Sequence, residues 1–219
     1  MLKKLNAMSE VESVKFINRL AIGILLLFLF AYLFLAVFRA PTADETLYLL
    51  ETLLMSKLIS NGEWIGNYGV GVHGFLFKLP VALLFLVTGP SIFVATVFNI
   101  FLWVGAGWLF FKSLCRFFEN RWWALAGLFL FFASLDPRLA PTFLREHALI
   151  LCTVLLIGAV LDRRKGWLIG LLFLLLLDAK EYGFYLLGLG YGIAVIVEEF
   201  NNTDPSTFAS PEGPRSPAV

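Results

Sequence analysis

From Phe16 to Phe38 the chain reads FINRLAIGILLLFLFAYLFLAVF, with strongly polar side chains only at Asn18 and Arg19, near its start. A helix needs about 20 apolar residues to cross a hydrocarbon core about 30 Å thick, and this run supplies them without interruption. The stretch before it carries Lys3, Lys4 and Lys15. The run is too long for the core of a secretory signal, and no small-residue cleavage site follows it, so it reads as an uncleaved first span. The rest of the chain has the same character. Of its 219 residues 59% are hydrophobic and 15% charged, where soluble domains carry about 45–50% and about 25%. Twenty-three Phe and six Trp suit lipid contact and the bilayer interface. The expected class is therefore an all-α, polytopic membrane protein.

Five further apolar runs follow, near 91–111, 122–135, 142–161, 166–177 and 184–197, for about six transmembrane helices in all. The third and fifth are short. With the N-terminus inside, the inner side collects ten basic residues, including Lys112, Arg116 and the Asp162-Arg163-Arg164-Lys165 anchor. The outer side holds six: Arg39, Lys57, Lys78, Arg138, Arg145 and Lys180. That bias predicts cytoplasmic N- and C-termini. Residues 1–200 form one transmembrane module. Residues 201–219, rich in Pro and Ser, read as a polar disordered tail.

The outer loop 39–90 is patterned. ADETLYLLETLLMSKLI places Leu47, Leu50, Leu54 and Leu58 on one helical stripe, the signature of a helix lying in the membrane interface. A Gly- and Asn-rich loop over 60–74 follows, and then a second apolar segment too short to span comfortably. The net charge of +1 and the absence of a basic-aromatic cluster argue against a nucleic-acid partner. Cys115 and Cys152 lie far apart in or beside apolar runs, with no zinc-ligand spacing around them.

Ionisable residues among apolar helices are expensive and therefore informative. Four groups fall on the expected outer side. Asp44 and Glu45 follow the first span, and His73 and Lys78 close the long loop. Asp136, Arg138, Arg145, Glu146 and His147 lie between the third and fourth spans, and Asp178, Lys180 and Glu181 between the fifth and sixth. Carboxylates beside cations in a wet cavity suit a phosphate-bearing substrate. A cation stabilises the departing phosphate, and a carboxylate takes a proton from an incoming hydroxyl. The structural alternative for the first group is that Thr42 or Asp44 caps the helix that follows.

In this order the outer DE pair, the stretch VHGFLFKLPVALLFLVTGPS and the later FLREHALILCTVLLIG…LLLLDAKEYGF resemble the GT-C superfamily of membrane glycosyltransferases. The similarity is to the protein O-mannosyltransferase and aminoarabinose transferase type, over about residues 16–197, and to the N-terminal module of those enzymes. Only Pro80 stands where that family has two prolines, and family members usually have seven or more spans. The resemblance implies inverting transfer of a sugar from a polyprenyl-phosphate donor to an acceptor hydroxyl at the outer face. It implies Asp44 as general base and Glu45 as its helper. Lys78, Arg145 and Lys180 would contact the donor phosphate, with His73 lining the same cavity and Arg138, Glu146 and Glu181 completing the substrate site. No metal ligand is assigned, although some relatives use a divalent cation. The acceptor is left open. The alternative expectation is a non-catalytic GT-C-like subunit or scaffold associated with a further membrane protein.

Overall fold

The computed structural model describes residues 2–63, 74–134, 141–162, 164–179, 188–193 and 195. The described chain is helical, with α1 (Leu2–Phe38), α2 (Ala43–Ser60), α3 (Phe75–Thr88), α4 (Ile92–Phe117), α5 (Arg121–Ala133), α6 (Glu146–Leu161) and α7 (Gly166–Ala179). Residues 188–193 are helical as well, and Tyr191 meets Phe173 of α7 with ring centroids 5.7 Å apart.

Two of these helices are long and apolar enough to cross a membrane, one over Glu12–Phe38 and the other α4. The helices α5, α6 and α7 occupy the expected apolar runs but contain 13, 16 and 14 residues. At 1.5 Å per residue they are about 20, 24 and 21 Å long, less than the hydrocarbon core. Of the six spans expected, two are thus full-length helices among the described residues, and three further apolar runs form helices shorter than a span. The expected disordered tail lies outside the described residues, as does half of the expected sixth span.

Contacts at both ends of each helix set the directions. Phe16 meets Trp122, while Tyr32 donates to the Phe132 carbonyl, so α1 and α5 run the same way. Asn99 of α4 bonds to the segment preceding α6, and Arg116 near the end of α4 pairs with Asp162 after α6. These two helices therefore run parallel, opposite to α1. Asp178 at the end of α7 meets Gly74 and Phe75 just ahead of α3 and at its start. One end of the bundle, called upper below, consequently holds the end of α1, the starts of α2, α3 and α6 and the end of α7. The lower end holds the α4–α5 and α6–α7 turns.

Packing across the centre is close. A Cβ on Gly107 of α4 would lie 2.4 Å from the Phe132 ring, and one on Gly127 of α5 would lie 2.4 Å from a Leu114 methyl. Each helix thus offers a glycine as a slot for a large side chain of the other, the small-residue packing of membrane helices. Phe132 also stacks on Phe28 at 4.7 Å, and Trp103 on Phe131 at 4.3 Å. Against this core α1 presents Ile17, Ala21, Leu25 and Tyr32, while Leu27, Phe30, Phe34 and Val37 stay exposed. An exposed row of large apolar side chains opposite the packed face is what a lipid-facing helix shows.

On α2 much of the apolar stripe faces outward as well. Leu47, Leu50 and Leu54 of the expected stripe are exposed, whereas Glu45, Thr52 and Ser56 are buried. Only Leu58 of the stripe turns inward, where it packs with Met55 against Ala82 of α3. Polar groups inside and leucines outside fit a helix whose outer surroundings are not water.

Candidate functional site

The upper end begins with Thr42. Its hydroxyl accepts from the Glu45 N–H at 3.3 Å, and Glu45 Oε2 accepts in return from the Thr42 N–H at 3.1 Å. This reciprocal capping box satisfies two donors that a helix start otherwise leaves open. Glu45 is fully buried, and its other oxygen accepts from the Arg39 guanidinium and, at 2.7 Å, from the Phe143 N–H. Arg39 also donates to the Pro141 carbonyl. One carboxylate thereby ties the end of α1, the start of α2 and the chain entering α6 into a single node.

Adjacent residues on a helix point about 100° apart, and here that separates the expected pair. Glu45 faces the protein, where three protein donors occupy both oxygens. Such a carboxylate holds the scaffold rather than an acceptor, a different task from the helper role expected for it. Asp44 is exposed and makes no hydrogen bond or ion pair among the described residues. Of the two, Asp44 alone is open to an incoming molecule.

Lys78 sits in the first turn of α3 and is 1% exposed. A buried ammonium requires a partner, and Glu51 of α2 supplies one at 2.7 Å. Ahead of it Gly74 turns the chain at φ +70°, in the left-handed region that glycine occupies without strain. The Gly74 N–H donates to the Asp178 carbonyl at 2.8 Å, and the Phe75 N–H to Asp178 Oδ1 at 3.0 Å. Asp178 therefore caps α3 from the end of α7.

Arg145 bridges these parts. Its guanidinium carbon lies 5.7 Å from the centroid of the Tyr48 ring on α2, a cation–π contact. Its aliphatic stem lies 4.0 Å from where a Gly74 Cβ would stand. The Nε of Arg145 is buried without a hydrogen-bond partner among the described residues, so this cation keeps donor capacity. Glu146, next in sequence, is half-buried at the start of α6. The structure thus gathers Asp44, Glu45, Lys78, Arg145, Glu146 and Asp178 at the upper end. His73, Arg138, Lys180 and Glu181 lie outside the described residues.

A polar pin lies beneath. Asn99 is fully buried, and its side-chain amide donates to the Thr142 and Leu144 carbonyls, both at 2.8 Å. His147 is buried beside it, with Nδ1 at 3.4 Å from the Asn99 amide nitrogen and its ring edge-on to Trp103. In the sequence Asn99 shows only as a lone amide in an apolar helix. Arg39 shows only as a positive charge at the end of a span. Neither announces the carbonyls it serves, because those belong to residues about 45 and 100 positions away.

Below Asp178 an apolar cavity of about 170 Å³ opens between α3, α4, α6 and α7, with Phe77, Pro80, Phe98, Leu102 and Cys152 in its walls. It has room for part of a hydrocarbon chain, and a carboxylate stands at its rim. Among the described residues no three His, Cys, Asp or Glu side chains converge as a metal site would require. No family model, curated protein or solved structure matches this chain. What the structure itself defines is a polar upper end in which Glu45, Lys78 and Asp178 are committed to neighbours, Asp44 is open, and an apolar cavity lies beneath.

Proposed function

We propose that the chain is a multi-pass membrane glycosyltransferase, or the N-terminal module of one, acting on a polyprenyl-phosphate sugar. The observation that carries this reading is the relation of Asp44 to Arg145. Tyr48, the aromatic seat of the Arg145 guanidinium, lies one helical turn beyond Asp44, and side chains four apart on a helix are neighbours, about 5–6 Å between Cβ atoms. An open carboxylate and a cation with donor capacity therefore both neighbour Tyr48 at the upper end, where a cavity suited to an isoprenoid chain also opens beside Asp178.

In the proposed reaction the Asp44 carboxylate takes the proton of an acceptor hydroxyl as its oxygen attacks the anomeric carbon. The bond from that carbon to the phosphate oxygen breaks on the opposite side, with inversion, and polyprenyl phosphate leaves. Arg145 stabilises the charge developing on the leaving phosphate. Lys78 acts one step back. Paired with Glu51, it holds α2 against α3 and so fixes the direction of Asp44. His73, Arg138, Glu146, Lys180 and Glu181 belong to the same proposed substrate site. In this reading both termini are cytoplasmic, about six helices cross the bilayer, and the upper end faces the extracytoplasmic side.

The test is transfer of label from a radiolabelled polyprenyl-phosphate sugar in membranes containing the protein. Asp44→Asn is expected to lower the rate at least about 100-fold, the lower range for loss of a general base, with insertion and thermal stability unchanged. An unaltered rate would remove Asp44 from the mechanism.

A second reading has its own support. Glu45, Lys78 and Asp178 all have partners within the fold, as expected of a non-catalytic membrane subunit that keeps the scaffold. Stable co-purification with a larger membrane protein, unaffected by Asp44→Asn and without transferase activity, would favour it.

A further inference from the structure

The lower end carries a second charged site that the proposed reaction does not use. Between the ends of α4 and α6 and the start of α7 lies a pocket of about 430 Å³, within the size range of small-ligand sites. Its rim is basic: Lys112, Arg116 and Arg164, with Ser113 beside them and Asp162 as the carboxylate. Its walls are apolar, formed by Leu109, Val154, Leu155, Leu168 and Leu172.

The charges are organised. Asp162 accepts from Arg116 at 2.5 Å and from Arg164 at 3.4 Å, and so holds two guanidiniums side by side. Each of these bonds engages one terminal nitrogen of its arginine, and a guanidinium has five N–H donors. Lys112 makes no ion pair among the described residues; its ammonium lies 5.2 Å from the Trp108 ring centroid, which steadies it. Three cations against one carboxylate leave a net excess of positive charge facing a cavity with greasy walls. Gly158 also lines the pocket, and a Cβ there would stand in ordinary contact, 3.5 Å from the Ser113 hydroxyl.

We propose that this pocket binds the phosphate headgroup of an anionic membrane phospholipid, with its acyl chains running down the leucine-lined wall. Basic pockets between helix ends at a membrane surface recognise such headgroups, and the apolar wall distinguishes a lipid from a free phosphate. The proposal rests on membrane insertion and not on sugar transfer. Asp44→Asn protein should bind the lipid like wild type, so failure of one reading leaves the other standing.

The experiment uses the full chain in neutral detergent, titrated with phosphatidylglycerol or phosphatidylcholine, with retained lipid read by native mass spectrometry. Wild type is expected to retain phosphatidylglycerol preferentially. Lys112→Gln and Arg164→Gln should each lower that preference about fivefold, and together bring it towards parity. Lys57→Gln, in the last turn of α2 and outside the pocket lining, should leave it unchanged. Gly158→Leu keeps every charge but fills the pocket, and should also lower retention of phosphatidylglycerol. Equal retention of the two lipids by wild type, or an unchanged preference in the double variant, would overturn the proposal. So would displacement of the lipid by equimolar inorganic phosphate, which would assign the pocket to a free anion.

Discussion

The two ends of the bundle are built from the same residue types and treat them in opposite ways. At the upper end Glu45 and Lys78 are withdrawn from the surface, at 0% and 1% exposure, and each meets a partner on another element. At the lower end the Arg116 and Arg164 side chains are 55% and 60% exposed around an open pocket. Burial makes a charge an architectural commitment, because removing its partner leaves an uncompensated ion in a poor solvent. Exposure leaves a charge available to ligands and worth little to the fold. The upper end is therefore a rigid mount carrying one open carboxylate, whereas the lower end is a receptive surface.

Substitutions at the two ends should separate these roles. The largest effect is expected from Glu45→Ala, which orphans the Phe143 N–H and leaves Arg39 without its carboxylate. A loss of about 3–5 kcal/mol follows from breaking a buried pair of this kind, read as a lowered midpoint in denaturant titration of the detergent-solubilised protein. A change below about 1 kcal/mol would mean that the node does not hold the upper end together. Lys78→Met comes next. Glu51, with its side chain 32% exposed, can recover hydration, so the cost should fall to about 1–2 kcal/mol. A stabilised Lys78→Met protein would show instead that the ion pair serves specificity at the expense of stability.

The smallest effect is expected from Asp162→Asn at the lower end. Loss of its bonds to Arg116 and Arg164 should change stability by less than about 1 kcal/mol. The same substitution adds a net positive charge at the pocket and should strengthen retention of phosphatidylglycerol. A large destabilisation there would erase the contrast between the two ends.

Much of the upper end is legible in the sequence, though not its division of labour. The pattern Thr42-x-x-Glu45 is a capping box before an apolar run, and the structure contains it. Helical spacing also puts Asp44 and Glu45 on different faces. Which face would meet protein depended on the 141–143 segment and Arg39, and no local pattern reveals those contacts. The leucine stripe of α2 is likewise visible in the sequence as Leu47, Leu50, Leu54 and Leu58. An apolar stripe looks the same whether it will meet lipid or a protein core, so the pattern could not separate Leu58, which turns inward, from the three that stay exposed.

By itself, then, the sequence determined the helical class, the positions of the apolar runs and the head of α2. Those properties follow from local hydropathy and from hydrogen bonds that close within a few residues. Only the tertiary structure decided that Glu45 is a tie, that Lys78 is buried against Glu51, and that Asn99 holds the chain leading into α6. It alone placed Arg116 and Arg164 on either side of Asp162. Each of these outcomes depends on bringing together groups that lie 27 to 98 residues apart, or on the direction in which α4 and α6 run past one another. Burial sets the energy of every such contact, and burial is a property of the assembled bundle.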